Sequence, residues 1–154
     1  MKKNNKNNKG FSLVELIIVI AIMAILIGVL APQYLKFVER SRKSTDKQNV
    51  DEIVRAVEVY AADPEASPAI ADDATGTTVV LSKTAIMAAP TGTNAAAITQ
   101  ALKDAGITPE TYADNKIKLK SDAWGNVTLT FKVEKGNVSV TATCSKTGAP
   151  NILE

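Results

Sequence analysis

The chain has no histidine, a single cysteine and few aromatic residues, and from Leu16 to Ala31 it carries no charge. Without histidine it lacks the commonest general base and the commonest transition-metal ligand. With Cys144 alone, an internal disulfide is impossible, so any folded part must hold by packing. No phosphate loop, nucleophile–base pair or metal-ligand cluster can be read, so neither catalysis nor a cofactor is expected. Nor is there a basic excess that would point to nucleic acid. Net charge is +2, and four lysines fall within residues 1–10; without them the remainder stands at −2. No nucleic-acid partner is expected.

What the chain does have lies at its start. Lys2, Lys3, Lys6 and Lys9 stand among asparagines, and an apolar segment from Phe11 to Ala31 follows. That segment is about the ~20 residues a helix needs to cross a bilayer. One charge interrupts it, Glu15. A carboxylate in hydrocarbon costs a few kcal/mol, so it calls for a partner or a task. Taken alone, an acid in the first turn of a helix also suits the macrodipole and can lie at the membrane surface. An ordinary secretory signal places its cleavage site after the apolar core.

The run Gly10-Phe11-Ser12-Leu13-Val14-Glu15-Leu16 resembles the start of a type IV pilin precursor, of the kind found as major subunits in Gram-positive type IV pili. In that family a short basic leader ends in glycine, the cut falls before phenylalanine, and a glutamate stands fifth in the cleaved chain. The resemblance implies cleavage between Gly10 and Phe11 and N-methylation of Phe11 by a prepilin peptidase/methyltransferase. Glu15 would assist that methylation and then attract a neighbouring subunit's amine during assembly. The implied partners are further copies of the chain in a helical homopolymer, a pilus assembly ATPase and a membrane platform protein. The precursor would sit in the cytoplasmic membrane and the product in a surface filament for adhesion, motility or biofilm formation. The implied parts are a leader (1–10), an apolar span and filament core (11–32), an amphipathic half of the same helix (33–62) and a globular head (63–154). Many pilins close their C-terminal region with a disulfide, and this chain departs from that pattern.

Gly28 and Pro32 both weaken the helix they sit in. Spans tolerate such residues as a kink; the resemblance implies instead a segment that loosens when subunits pack. Past Pro32 the pattern turns amphipathic, with Val50, Ile53, Val54, Val57 and Ala61 three and four apart, until Asp63-Pro64 stops the helix. Residues 64–78 read as a polar loop ending near Gly76, and residues 79–89 fit neither strand nor helix clearly. Asn94 to Ala105 reads as a second helix, closed by Gly106 and Pro109. The last third alternates with period two: Ile117 and Leu119; Val127 to Val133; Val138 to Cys144. Three such runs predict an antiparallel meander whose apolar face covers the helix stripe, an α+β fold of the pilin type.

Four further features bear on function. Asp122-Ala123-Trp124-Gly125-Asn126 reads as a strand-connecting turn anchored by tryptophan, although it also resembles a turn of type II secretion pseudopilins, the alternative functional class. A third class, a membrane-tethered enzyme or solute-binding domain, would need a cleft constellation that the sequence does not offer. Asp72-Asp73 reads as a solvated pair and not a calcium site. Cys144 reads as a buried small hydrophobe, and the acceptor patterns at Asn126 and Asn137 as turn asparagines.

Overall fold

The computed structural model describes residues 11–83, 88–107 and 117–154. The chain divides into two compact units, one ending at Val38 and one running from Glu39 to Glu154. The first unit is the beginning of a single helix, α1 (Leu13–Ala62), with Gly28 and Pro32 inside it. The helix runs on through both residues without interruption. Pro109 lies outside the described residues.

In the second unit, residues 39–62 of α1 are followed by β1 (Asp73–Leu81), β2 (Ala88–Thr91), α2 (Ala95–Asp104), β3 (Val127–Glu134) and β4 (Asn137–Cys144). The strands form one sheet in the order β2-β1-β3-β4, antiparallel at every pairing. The helical stripe Val50, Ile53, Val57 and Tyr60 is buried in one cluster with Val127, Leu129 and Phe131 from the inward side of β3. Burying each such aliphatic or aromatic side chain contributes about 1.5–3 kcal/mol, so this face is the main support of the fold. α2 adds Ala97, Ile98, Ala101 and Leu102 to the same core.

The β3–β4 hairpin follows its alternation residue for residue, from Val127↔Cys144 to Glu134↔Asn137. Lys135 (φ 52°) and Gly136 (φ 77°) form the two-residue loop, the positive-φ pair that matches strand twist. β4 lies at the sheet edge, so Val138, Val140, Ala142 and Cys144 are only half-buried. Cys144 is therefore not the fully buried hydrophobe expected. Its thiol faces the Pro150 carbonyl at 3.8 Å, and burial pushes its pKa up, which disfavours a reactive thiolate.

Three expectations are corrected. The loop expected over 64–78 is a loop only as far as Ala71 and Asp72; from Asp73 onward the chain is β1, paired to β3. Cross-strand pairing overrides the polar composition of Asp73-Ala74-Thr75-Gly76-Thr77-Thr78. The meander's supposed first strand does not exist at Ile117 and Leu119. Both are buried, but 118–120 form no ladder, and Leu119 donates a single backbone bond to the Ser82 carbonyl. β1 takes the inner position in the sheet that this segment was expected to fill.

The third correction concerns Asp73, which is only 5% exposed and far from solvated. Its Oδ1 accepts from Thr75 N, Thr75 Oγ1 and Gly76 N, and its Oδ2 accepts from Thr77 Oγ1. Thr77 Oγ1 in turn accepts from Asn94 N at 2.9 Å, tying β1 to the start of α2. The Thr75 hydroxyl, with Gly76 N next, holds the Asp73 carboxyl below the usual carboxylate range. A depressed acid stabilises the fold above its unfolded pKa, about 3.9, and loses that contribution as pH falls through the folded value. Thermal unfolding of Asp73→Asn is thus expected to show a lower Tm at neutral pH and a flatter acid limb than wild type. A variant with an unchanged acid limb would rule out this assignment.

Gly92 is the glycine on which the β2–α2 corner depends. Its φ is +133°, and a Cβ there would stand 2.8 Å from the Thr77 Cα, which is backbone and has no room to yield. Gly92→Ala is expected to destabilise by about 3 kcal/mol and Gly136→Ala, where space is open, by about 1 kcal/mol, as read by urea unfolding.

Candidate functional site

The described chain opens on Phe11, which is 91% exposed, and the helix begins two residues later. Leu16 N donates to the Ser12 carbonyl at 3.2 Å, which makes Ser12 the N-cap. Glu15 occupies the third helical position, and its Oε2 accepts from Ser12 N–H at 2.9 Å. This is the acid half of a capping box, a serine followed three residues later by glutamate. The signature stands in the sequence as Ser12-x-x-Glu15, a local role for the acid beyond the dipole one. Gly10 lies outside the described residues.

From Leu13 to Phe37 the large apolar side chains of α1 are exposed on every side of the helix, not along one stripe. Helices apolar all round belong in a core or a bilayer. Among the described residues, α1 is the one helix long and apolar enough to cross a membrane. A Cβ built on Gly28 would meet nothing within 4 Å, so packing in this chain does not require glycine there.

The other half of α1 is fastened by a residue that nothing in the sequence singles out. Asp46 is 0% exposed. Its Oδ1 accepts from Lys120 N at 2.6 Å; its Oδ2 accepts from Ser121 N at 2.8 Å and from the Trp124 indole Nε1 at 3.2 Å. Two turns earlier, the Ser121 hydroxyl donates to Glu39. One turn later, Asn49 Nδ2 donates to the Lys118 carbonyl at 3.4 Å. The Lys43 ammonium stands 6.0 Å from the Trp124 ring centroid, at the outer limit of a cation–π contact. Burial pushes the Asp46 pKa up, and the bonds from Lys120, Ser121 and Trp124 pull it partly back. Four residues of α1 thus hold the segment 118–124 that replaces the missing strand.

Trp124 is 1% exposed, so the Asp122–Asn126 turn is anchored by its tryptophan as expected. Asp122 points outward, paired with Lys83, which holds its carboxyl below the usual range.

Residues 5–31 match the family model for the prokaryotic N-terminal methylation motif. The prepilin peptidase-dependent protein A of Clostridium perfringens (strain 13 / Type A) is 38% identical over 67 residues, covering 42% of this chain and 48% of that protein. The chain thus spans about half the length of the curated relative it matches. No solved structure gives a significant match. An N-terminal methylation motif, a prepilin-type relative and an apolar helix continuing into one backed by an antiparallel sheet agree with one another: the chain carries the N-terminal methylation motif and is similar to type IV pilin-like precursors.

Proposed function

We propose that this chain is a structural subunit of a type IV pilus, cut between Gly10 and Phe11, N-methylated on Phe11 and polymerised into a surface filament. The observation that carries this reading is the exposed, all-round apolar half of α1, with Phe11 just ahead of it and Glu15 in its first turn. As precursor, that surface is covered by the cytoplasmic membrane; in the filament, by the same surface of other copies. Cutting before Phe11 creates an α-ammonium four residues from Glu15, and in a medium of low dielectric such charges select one packing register among many apolar ones. A prepilin peptidase/methyltransferase performs the cut, and an assembly ATPase and platform protein drive polymerisation. Gly28 and Pro32 let the helix loosen as subunits pack. The role is structural, not enzymatic, and the filament serves adhesion, motility or biofilm formation.

Filaments sheared from cells and analysed by mass spectrometry are expected to contain a chain starting at N-methylated Phe11, about 14 Da above the unmodified amine. Filaments built from chains that retain Met1 would overturn the processing. Electron microscopy then separates pilin from pseudopilin, since long surface filaments made mainly of this chain belong to the first and a short periplasm- or wall-spanning fibre to the second.

A further inference from the structure

A groove of about 390 Å³ runs between the end of α1 and α2. It is lined by Glu52, Arg55, Val59, Tyr60, Asp63 and Asp104, among others. Val59, one of the lining residues, is an apolar side chain 72% exposed. The same lining carries three acids and one arginine, and among the described residues none of the four belongs to an ion pair within the chain. The acidic character reaches the Tyr60 hydroxyl, whose pKa is pushed up first by burial and then by Asp104 and Asp63.

The complementary surface is on the same helix. At about 100° per residue, Glu52, Arg55 and Val59 fall on one flank of α1, with Asp63 just past its end, and Arg40, Lys43 and Lys47 fall on a second flank about 120° round the helix. The buried residues Val50, Ile53 and Val57, and Asp46 against segment 118–124, lie between them on the wider arc. Arg40 is exposed and Lys43 and Lys47 half-exposed, with no ion pair to any of the three among the described residues. Each chain therefore offers an acidic groove with an exposed valine on one flank and a row of cations on another.

We propose that the groove receives the Arg40–Lys47 segment of a second copy of this chain. This inference rests on the proposed assembly into a filament and names a contact between its heads. Because the two surfaces differ and lie on different flanks, the contact is heterologous: each copy docks one neighbour and is docked by another. Such a contact repeats without end unless its rotation closes a ring. The centres of the two surfaces lie about 14 residues apart on α1, so parallel copies joined this way are offset by about 20 Å along the helix. Opposite charge steers the pairing and penalises the groove-to-groove alternative, where acids would face acids.

The test uses the full chain, with Cys144→Ser to remove the native thiol and Arg40→Cys plus Asp104→Cys introduced together. Treating cells or sheared filaments with a bis-maleimide is expected to give a ladder of multimers from the double variant and none from either single variant. A dimer from Asp104→Cys alone, or intact filaments without any cross-linked species, overturns the contact; so does cross-linking of Asp104→Cys to another protein instead. In a second experiment, Asp63→Lys with Asp104→Lys is expected to lower filament yield about tenfold or more, and adding Arg40→Glu with Lys47→Glu to restore it. Failure of the swap to restore yield while the purified monomer stays folded also overturns it. Absence of filaments from the unaltered chain overturns the proposed function itself, which keeps the two failures apart.

Discussion

Surface filaments are expected to fall at least about thirtyfold in Glu15→Ala, with the chain still present in the membrane. The figure follows if the proposed ion pair contributes about 2 kcal/mol at each subunit contact. Such a value suits a site where hydrocarbon screens little and an unpaired carboxylate alone costs about 2.5–3.5 kcal/mol. Glu15→Gln separates two roles that Glu15→Ala removes together. Glutamine keeps the capping contact to Ser12 N–H, since glutamine serves at that position as well as glutamate. It loses the charge. If charge sets the register, Glu15→Gln assembles as poorly as Glu15→Ala; if the cap is what matters, Glu15→Gln assembles like wild type. Immunoblots of the sheared and membrane fractions read both outcomes, and wild-type assembly by Glu15→Ala would refute any role for this residue.

Asp46→Ala should be the most damaging single change in the head, lowering stability by about 4 kcal/mol. Three donors, Lys120 N, Ser121 N and Trp124 Nε1, lose their acceptor at once, and two of these bonds are buried. An unsatisfied buried donor costs about 1–3 kcal/mol, which sets the scale. Asp46→Asn keeps one oxygen and turns an amide towards donors, so it should fall between alanine and wild type. Urea unfolding of the detergent-solubilised chain, followed by circular dichroism, measures both. A loss below about 1 kcal/mol for Asp46→Ala would mean that water replaces the carboxylate and that the latch is weak. Its raised pKa also gives a sign opposite to that of Asp73. An acid held protonated longer in the folded state makes the fold less stable as pH rises from the ordinary carboxylate range to the folded value.

These residues also show which parts of the fold are legible in the sequence. The stripe from Val50 to Tyr60, the second helix and the β3–β4 hairpin follow from local periodicity, because each element buries one face against a partner and writes that face into its spacing. β1 does not, since its first half is polar and contains Gly76; it is a strand because β3 offers it a ladder. Ile117 and Leu119 mislead in the other direction. They alternate with lysines like a strand, but alternation reports only that two side chains point inward, and here they do so from a segment hung on Asp46. The N-terminal methylation motif is more legible than the fold, because it lies within consecutive residues. Asp46 is not, for its partners are 74 to 78 positions away and nothing local marks a buried carboxylate in an amphipathic helix.

That separation also sets an order of events during synthesis. The apolar half of α1 leaves the ribosome before its amphipathic half, while the donors that fasten Asp46 follow it by 74 to 78 residues and the β3 and β4 strands come later still. Long-range pairings of this kind cannot form until both ends exist. On the proposed reading, the anchor can therefore reach the bilayer with the amphipathic half of α1 still unpartnered, and the head folds afterwards, on whichever side of the membrane it has been delivered.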